Sequence, residues 1–147
     1  MARAQGRYVC GLDAAVDVVG GKWKPMILWA LHDHGTLRFG ALRREVAGVT
    51  EKVLNQQLKE MEADGIVHRE VYPEVPPRVE YSLTGLGETL NAALMPLGDW
   101  GETFMDQIVA NKTRAAESAL KKGVTGPAPR VSSKRNNKEN PAQEDAA

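Results

Sequence analysis

Hydrophobic positions recur at helical spacing in three segments before residue 48. The first covers residues 12–19 and separates an apolar side from an acidic side, as in a short amphipathic helix. The second begins near Pro25 and is apolar on all sides, which predicts a helix in the middle of the domain with Trp29 in its core. The third covers residues 39–46 and ends at Gly48.

A fourth helix follows a tight turn, and its two sides differ in polarity. Thr50 precedes it as an N-cap, because its side-chain oxygen can accept a hydrogen bond from a free backbone amide. Leu54, Leu58 and Met61 recur at helical spacing on one side. The opposite side carries Lys52, Asn55, Gln56 and Lys59. This polar side is therefore available to contact a ligand.

Residues 66–72 and 78–83 have the composition of two β-strands joined by a proline-rich loop. Alternate positions of the second strand share one side and can pack on a core: Val79, Tyr81 and Leu83. Arg78 stands beside the tip of the loop. Two helices joined by a tight turn and followed by such a hairpin predict an α+β fold, mainly α, of the winged helix-turn-helix type.

A long apolar stripe follows the hairpin on a helical region that Thr84 can cap. The stripe comprises Leu86, Leu90, Ala93, Leu94, Leu97, Trp100 and Phe104. Pro96 should kink or divide this helix near Met95. The small winged helix that precedes the stripe cannot cover all of it, which suggests a two-fold homodimer. The residues expected at the dimer interface, or around a pocket for a small apolar ligand within it, are Leu12, Val16, Leu94, Met95, Leu97, Trp100 and Phe104.

Composition limits the class of protein. The chain has 147 residues, of which 42% are hydrophobic, enough for one domain with a real core. Nineteen basic residues balance nineteen acidic ones, so any argument for nucleic acid rests on local clustering of charge. No apolar run approaches the roughly 18 residues of a membrane span, and no secretory leader is evident. We therefore expect a cytoplasmic protein without a membrane partner.

The distribution of apolar residues also predicts the domain organisation. Residues 1–9 are expected to be a flexible N-terminus, and residues 10–122 a single winged helix domain that includes the surface for dimerisation. From residue 123 to residue 147 the chain is polar and has no aromatic residue, so it cannot offset the entropy of ordering. This last segment is predicted to be a disordered tail.

Several short motifs accompany these elements. They are Gly20-Gly21-Lys22-Trp23, Leu37-Arg38-Phe39, Gln56-Gln57-Leu58, Gly65-Ile66-Val67 with Arg69, the run from Pro76 to Thr84, and Trp100-Gly101. In order and spacing, from Cys10 to about Phe104, the chain resembles the HxlR-type winged-helix transcriptional regulators. The resemblance implies a homodimer held by N-terminal and C-terminal helices. It further implies repression through a roughly palindromic operator in double-stranded DNA, which two helices and two wings contact.

The polar side of the fourth helix supplies the predicted base contacts, because amide side chains pair bidentately with adenine and lysine reaches guanine or phosphate. These contacts are Thr50, Lys52, Asn55, Gln56 and Lys59. The predicted contacts to phosphate, or from the wing, are Lys22, Lys24, Arg38, Arg43, Arg44 and Arg78. Arg78 is expected to enter the adjacent minor groove.

Cys10 is the single cysteine of the chain. Many regulators of the HxlR type respond to electrophiles, aldehydes or oxidants through a cysteine near the N-terminus, and the resemblance gives Cys10 this role. Gly11 follows it where the family usually has proline. The positive end of the first helix and Arg7 would favour a reactive thiolate, whereas a packed thiol would be inert, and both interpretations stay open. Any disulfide of Cys10 must be intermolecular.

The inventory of reactive side chains favours a protein that is not an enzyme and that has no cofactor or metal site. His32 and His34 lie at the end of a helix with only Asp33 nearby, and we interpret them as exposed histidines. One alternative function is a winged helix that contacts proteins and not DNA, which the neutral charge and the apolar stripe support. Another is a regulator controlled by a small apolar effector at the dimer interface.

Overall fold

The computed structural model describes residues 6–123. Residues 1–5 of the predicted flexible N-terminus and residues 124–147 of the predicted tail lie outside the described residues. The chain divides into two compact units, the first ending at Phe104 and the second beginning at Met105. Within residues 6–123, no helix is long and apolar enough to cross a bilayer.

Between residues 6 and 123 the structure contains six helices and three strands. The helices are α1 (Gly11–Val19), α2 (Trp23–His34), α3 (Phe39–Glu45), α4 (Glu51–Ala63), α5 (Gly85–Thr103) and α6 (Met105–Lys122). The strands are β1 (Leu37–Arg38), β2 (Val67–Tyr72) and β3 (Arg78–Leu83). The predicted helices before the hairpin, the hairpin and the helix after it are confirmed. The fold is thus mainly helical with a small antiparallel sheet.

The sheet has the strand order β1-β3-β2, and each pairing is antiparallel. β2 and β3 form the predicted hairpin, which we call the wing, and Val67 pairs with Leu83 at its root. β1 is a strand that the sequence analysis does not predict, and its Leu37 pairs with Tyr81. Two residues are too few to show an alternating pattern, so β1 is defined only by its pairing with β3.

The core of the first unit forms around one stripe of α2 together with α3, α4 and the root of the wing. The residues buried in it are Ile27, Leu28, Ala30, Leu31, Leu42, Val46, Val49, Leu54, Leu58, Met61, Ile66, Val67 and Tyr81. Trp29 is 51% exposed, so its predicted place in the core is wrong. α2 is apolar on all sides, but within residues 6–123 the side that carries Trp29 is not closely covered by other elements.

Backbone contacts fix the start of α5 against the root of the wing. The hydroxyl of Thr84 accepts a hydrogen bond from the backbone N–H of Gly87 at 3.0 Å and donates to the carbonyl oxygen of Gly65 at 2.6 Å. The backbone N–H of Thr84 donates to the carbonyl oxygen of Ile66 at 3.0 Å. Gly87 packs on that same carbonyl and leaves no room for a Cβ atom. The predicted cap is confirmed, and α5 is held directly to the sheet.

Pro96 lies inside α5, which runs unbroken to Thr103. The predicted alternative that Pro96 divides the helix near Met95 is therefore wrong. A proline leaves the carbonyl four residues earlier without its helical partner. That residue is Ala92, which is exposed, so solvent can satisfy its carbonyl.

The second unit contains α6, which has no buried residue. Its last turn carries Lys121 and Lys122, and basic side chains at that end complement the helix dipole.

Candidate nucleic-acid interface

The polar side of α4 is presented to solvent by a capped and well-packed helix. Thr50 caps its start, since its hydroxyl oxygen accepts from the backbone N–H of Val53 at 3.2 Å. The apolar side is buried: Leu54 is 0% exposed and Leu58 and Met61 are each 1% exposed. The predicted base contacts that lie within the helix are all exposed: Lys52, Asn55, Gln56 and Lys59. The structure therefore brings these four side chains together on one accessible face.

A groove of about 280 Å³ separates α4 from the wing. Asn55, Lys59 and Glu62 line it from the helix, and Arg69 and Tyr81 line it from the sheet. The sequence predicts Arg69 only as part of a family motif and not as a residue of this groove. The alternation of β2 carries the signal, because Arg69 lies opposite Tyr81 on the side of the sheet that faces the core. An exposed guanidinium thus stands across the groove from the polar side of α4.

Lys24 is not available to phosphate, and its predicted role as a phosphate contact is wrong. The residue is 7% exposed, and its Nζ lies 2.8 Å from Oε2 of Glu60. The hydrogen bond and the positive charge of Lys24 hold the pKa of Glu60 below its ordinary value. Helical spacing could have revealed this position, because Lys24 precedes Ile27 and Leu28 on the core-facing stripe of α2.

The remaining cations predicted to contact phosphate are exposed around α4. Arg43 and Arg44 lie in the last turn of α3, just before the turn into α4, and NH1 of Arg43 lies 3.7 Å from Oε2 of Glu51. Lys22 precedes α2 with its Nζ 4.8 Å from the ring centroid of Trp23. Arg38 is exposed at the end of β1. Of these cations, Arg43 has a described contact with α4, and none of them lies on its polar side.

Arg78 is engaged at the wing. Its guanidinium carbon lies 4.0 Å from the ring centroid of Tyr72, and its nitrogens lie 3.3 Å from a carboxylate oxygen of Glu74 and 3.5 Å from one of Glu80. Its Nε is buried and makes no hydrogen bond within the described part of the chain. Two of the three guanidinium nitrogens of Arg78 thus lie beside carboxylates of the wing itself.

Cys10 is half-buried at the N-cap position of α1, and its side chain makes no capping hydrogen bond. The segment before it folds back on the helix: the hydroxyl of Tyr8 donates to Oδ2 of Asp17 at 2.6 Å. That hydrogen bond raises the pKa of Tyr8. NH2 of Arg7 lies 3.8 Å from the same carboxylate, so Arg7 already has a nearby anion.

A cavity of about 570 Å³ lies between α2 and α5. Its apolar lining includes Met26, Trp29, Leu94, Met95 and Leu97, and Asn91 lies within it. The structure thus brings three members of the predicted dimer or ligand set into one cavity.

The other members of that set do not line this cavity. Leu12 and Val16 are exposed on α1, whereas Trp100 and Phe104 pack against each other at the end of α5, with ring centroids 5.6 Å apart and ring planes tilted by 47°. An apolar surface therefore extends beyond the cavity.

The histidines do not converge on a metal site. His32 pairs with Glu88 at 2.8 Å, and His34 pairs with Glu45 at 3.0 Å, so each reaches the carboxylate of a different helix. Within residues 6–123, no three side chains of His, Cys, Asp or Glu are grouped so that they could hold a metal ion.

Comparison with known proteins agrees with this geometry. Residues 18–109 match the model of the HxlR-like helix-turn-helix family. The chain is 44% identical over 110 residues to the uncharacterized HTH-type transcriptional regulator YdeP of Bacillus subtilis, covering 75% of this chain and 84% of that protein. It is 45% identical over 98 residues to the regulator YtfH of Escherichia coli, covering 67% and 77%.

Solved structures show the same fold. The redox regulator HypR in its reduced form superposes with a TM-score of 0.64 at 44% identity, covering 69% of this chain and 99% of that one. Diamide-treated YodB from B. subtilis superposes with a TM-score of 0.56 at 33% identity, covering 65% and 94%. The relatives are named as transcriptional regulators and not as enzymes. The family model, the relatives and the winged helix-turn-helix agree: this chain belongs to the HxlR-like helix-turn-helix family of transcriptional regulators.

Proposed function

We propose that the protein is a homodimeric repressor that binds a specific, roughly palindromic DNA sequence. The observation that carries this proposal is the exposed polar side of α4, capped by Thr50 and placed between the arginines of α3 and the wing. A helix of this kind fits the major groove, while a hairpin beside it reaches the neighbouring backbone. Repression follows most simply, because a bound regulator of this size obstructs transcription without any activating domain.

In this proposal, base recognition falls to Lys52, Asn55, Gln56 and Lys59, with Thr50 at the start of the helix. Amide side chains suit adenine, whose N6 donates and whose N7 accepts in the major groove. Arg43, Arg44, Arg38 and Lys22 contact phosphates, and Arg78 acts from the wing. We add Arg69 to these contacts, because its exposed guanidinium faces α4 across the groove.

The homodimer is proposed from the exposed apolar residues of α1 and α5. Leu12, Leu97 and Trp100 are 66%, 62% and 55% exposed in the single chain. Burying large apolar side chains of this kind is the main source of association between protein surfaces. A two-fold dimer would also give two copies of α4, which a palindromic operator requires.

Two kinds of effector have support. Cys10 is proposed to sense oxidants or electrophiles, because it precedes α1 and because HypR and YodB were solved in reduced and in oxidised or diamide-treated forms. The second kind is a small apolar molecule in the cavity between α2 and α5, whose lining of Met26, Trp29 and Leu94 suits such a ligand.

Selection from a random pool of duplex DNA tests DNA binding. The reduced protein should enrich an inverted repeat whose half-sites lie about one helical turn, or a multiple of it, apart. Affinity for the winning sequence should fall steeply as salt rises. An absence of any enriched sequence, together with binding to a protein partner that salt does not weaken, would instead support a winged helix for protein contact.

Single variants test the separate roles. Arg43→Ala should weaken binding to every sequence and reduce the salt slope by about one unit. Gln56→Ala should relax the preference at one base pair per half-site. Cys10→Ser should abolish the response of operator binding to diamide, and an unchanged response in that variant would exclude Cys10 as the sensor.

A further inference from the structure

An ion pair between a buried lysine and a half-exposed glutamate joins the core to the polar side of α4. Lys24 lies on the stripe of α2 that faces the core, and its side chain is 8% exposed. Its Nζ lies 2.8 Å from Oε2 of Glu60, which is near the end of α4. A buried ammonium needs a fixed counter-charge, because a buried charge without a partner is strongly destabilising. The carboxylate of Glu60 is therefore held in one place by the core of the protein.

The second oxygen of this carboxylate meets Gln56, one turn earlier on α4. Nε2 of Gln56 donates to Oε1 of Glu60 at 3.5 Å, whereas Lys24 uses Oε2. If the amide of Gln56 were flipped, its carbonyl oxygen would face the carboxylate and the two acceptors would repel each other. The carboxylate thus selects one of the two orientations of the amide.

We propose that Lys24, acting through Glu60, is a positioning residue that orients the amide of Gln56 for one adenine in the operator. This inference rests on the proposed binding of DNA. With one N–H directed to Glu60, the amide keeps its other N–H and its carbonyl oxygen for the base. Adenine offers the matching pair in the major groove, a donor at N6 and an acceptor at N7.

The ion pair has a second effect on DNA binding. Glu60 is half-exposed beside the polar side of α4, where a free carboxylate would repel the phosphates of a bound duplex. Lys24 neutralises that charge from the protein side. An ammonium buried in the core thereby keeps an acidic residue compatible with a DNA-binding surface.

The test uses the full chain in four variants: Glu60→Gln, Lys24→Met, Gln56→Ala and Glu62→Gln. In E60Q the amide oxygen at position 60 can still accept a hydrogen bond from Lys24, which turns the NH₂ group at position 60 toward Gln56. Facing that donor, the amide of Gln56 should flip and present its carbonyl oxygen. E62Q is the matched control, because it removes the same charge from the same helix at a residue without a hydrogen bond to Gln56 in the described structure. The preference at every operator position is measured by selection from a randomised operator library, with cooperative thermal melting as the check of folding.

We expect Q56A to identify one base pair per half-site. At that same base pair, E60Q and K24M should reduce the discrimination in favour of adenine about tenfold, the size of one bidentate contact. E62Q should change overall affinity as E60Q does and leave the preference intact. If K24M does not melt cooperatively, E60Q alone decides the outcome.

Three results distinguish a failure of the positioning role from a failure of the proposed DNA binding. An E60Q protein that melts cooperatively and keeps the full preference at the base pair identified by Q56A would overturn the positioning role. A Q56A protein that loses preference at no base pair would overturn it as well, while leaving DNA binding in place. A wild-type protein that enriches no sequence would refute the proposed function itself.

Discussion

Helices α4 and α5 are both amphipathic and both capped by threonine, yet their apolar sides have different environments. The apolar side of α4 is complete within the chain, since Leu54 and Leu58 are at most 1% exposed. On α5, Leu97 and Trp100 remain 62% and 55% exposed. A helix whose apolar side is satisfied leaves its polar side for a ligand, whereas a helix with an open apolar side needs another molecule to cover it. The first property fits recognition, and the second fits assembly.

The largest expected effect is the loss of stability on removing a side chain from the buried apolar side of α4. Leu58→Ala should lower the free energy of unfolding by about 2–5 kcal/mol, because it removes a leucine from a packed core and leaves a cavity. Urea unfolding monitored by circular dichroism measures it. The matched change on α5, Leu97→Ala, should cost far less when unfolding is measured at protein concentrations that keep the chain monomeric. Equal losses in the two variants would mean that Leu97 is buried within the single chain.

The next effect concerns self-association through the exposed apolar side of α5. Leu97→Asp places a charge on the apolar surface of α5, and it should weaken self-association by about 2 kcal/mol or more if Leu97 lies near the centre of the interface. Sedimentation equilibrium over a range of protein concentrations measures the dissociation constant. Lys52→Asp on the polar side of α4 serves as the control and should leave the dissociation constant unchanged. An unaltered constant for L97D would move the interface away from this part of α5.

The two N-caps give a smaller and more closely matched comparison. Thr50→Ala should cost about 1 kcal/mol, the usual loss for an N-cap. Thr84→Ala should cost about 2 kcal/mol, since it loses the cap and also the hydrogen bond that its hydroxyl donates to the carbonyl oxygen of Gly65. Thermal unfolding of the two variants under identical conditions gives the difference. A larger loss at Thr50 would contradict the account of how α5 is held.

The smallest effect concerns pH. The hydrogen bond and charge of Lys24 lower the pKa of Glu60 from its ordinary value of 4.5, so the folded protein holds this proton more weakly than the unfolded chain. The resulting stability is present above pH 4.5 and is lost as the pH falls through the folded value. Lys24→Met should therefore flatten the dependence of stability on pH in the acid range. Urea unfolding at several pH values measures it, and an unchanged profile would show that the pair does not persist in solution.

Sequence alone predicts the elements whose stabilising contacts are local. Thr50 and Thr84 precede their helices at capping positions, and the alternation of Val79, Tyr81 and Leu83 marks a strand, so each can be identified from a short window. β1 is not predicted from the sequence, because its two residues form a strand only by pairing with β3.

The missed or misplaced side chains depend on partners far away in the sequence. Local spacing places Lys24 and Arg69 on core-facing sides, but the ion pair of Lys24 requires Glu60 from another helix, and the groove beside Arg69 requires α4. The prediction for Trp29 is wrong for the opposite reason: its hydrophobicity predicts burial, but no element within residues 6–123 covers it. The candidate site was thus predictable as a surface, while the ion pair beneath it was not.

The contact of Gly87 with the carbonyl of Ile66 makes α5 and the wing a single lever. No side chain lies between them, and Thr84 donates hydrogen bonds to the carbonyl oxygens of both Gly65 and Ile66 at the root of the wing. The start of α5 is thus fixed to the wing by direct backbone contacts. We therefore expect a change in the packing of α5 to be transmitted to the root of the wing. In the proposed dimer, the distance between the two wings would then depend on a helix that itself contacts no base.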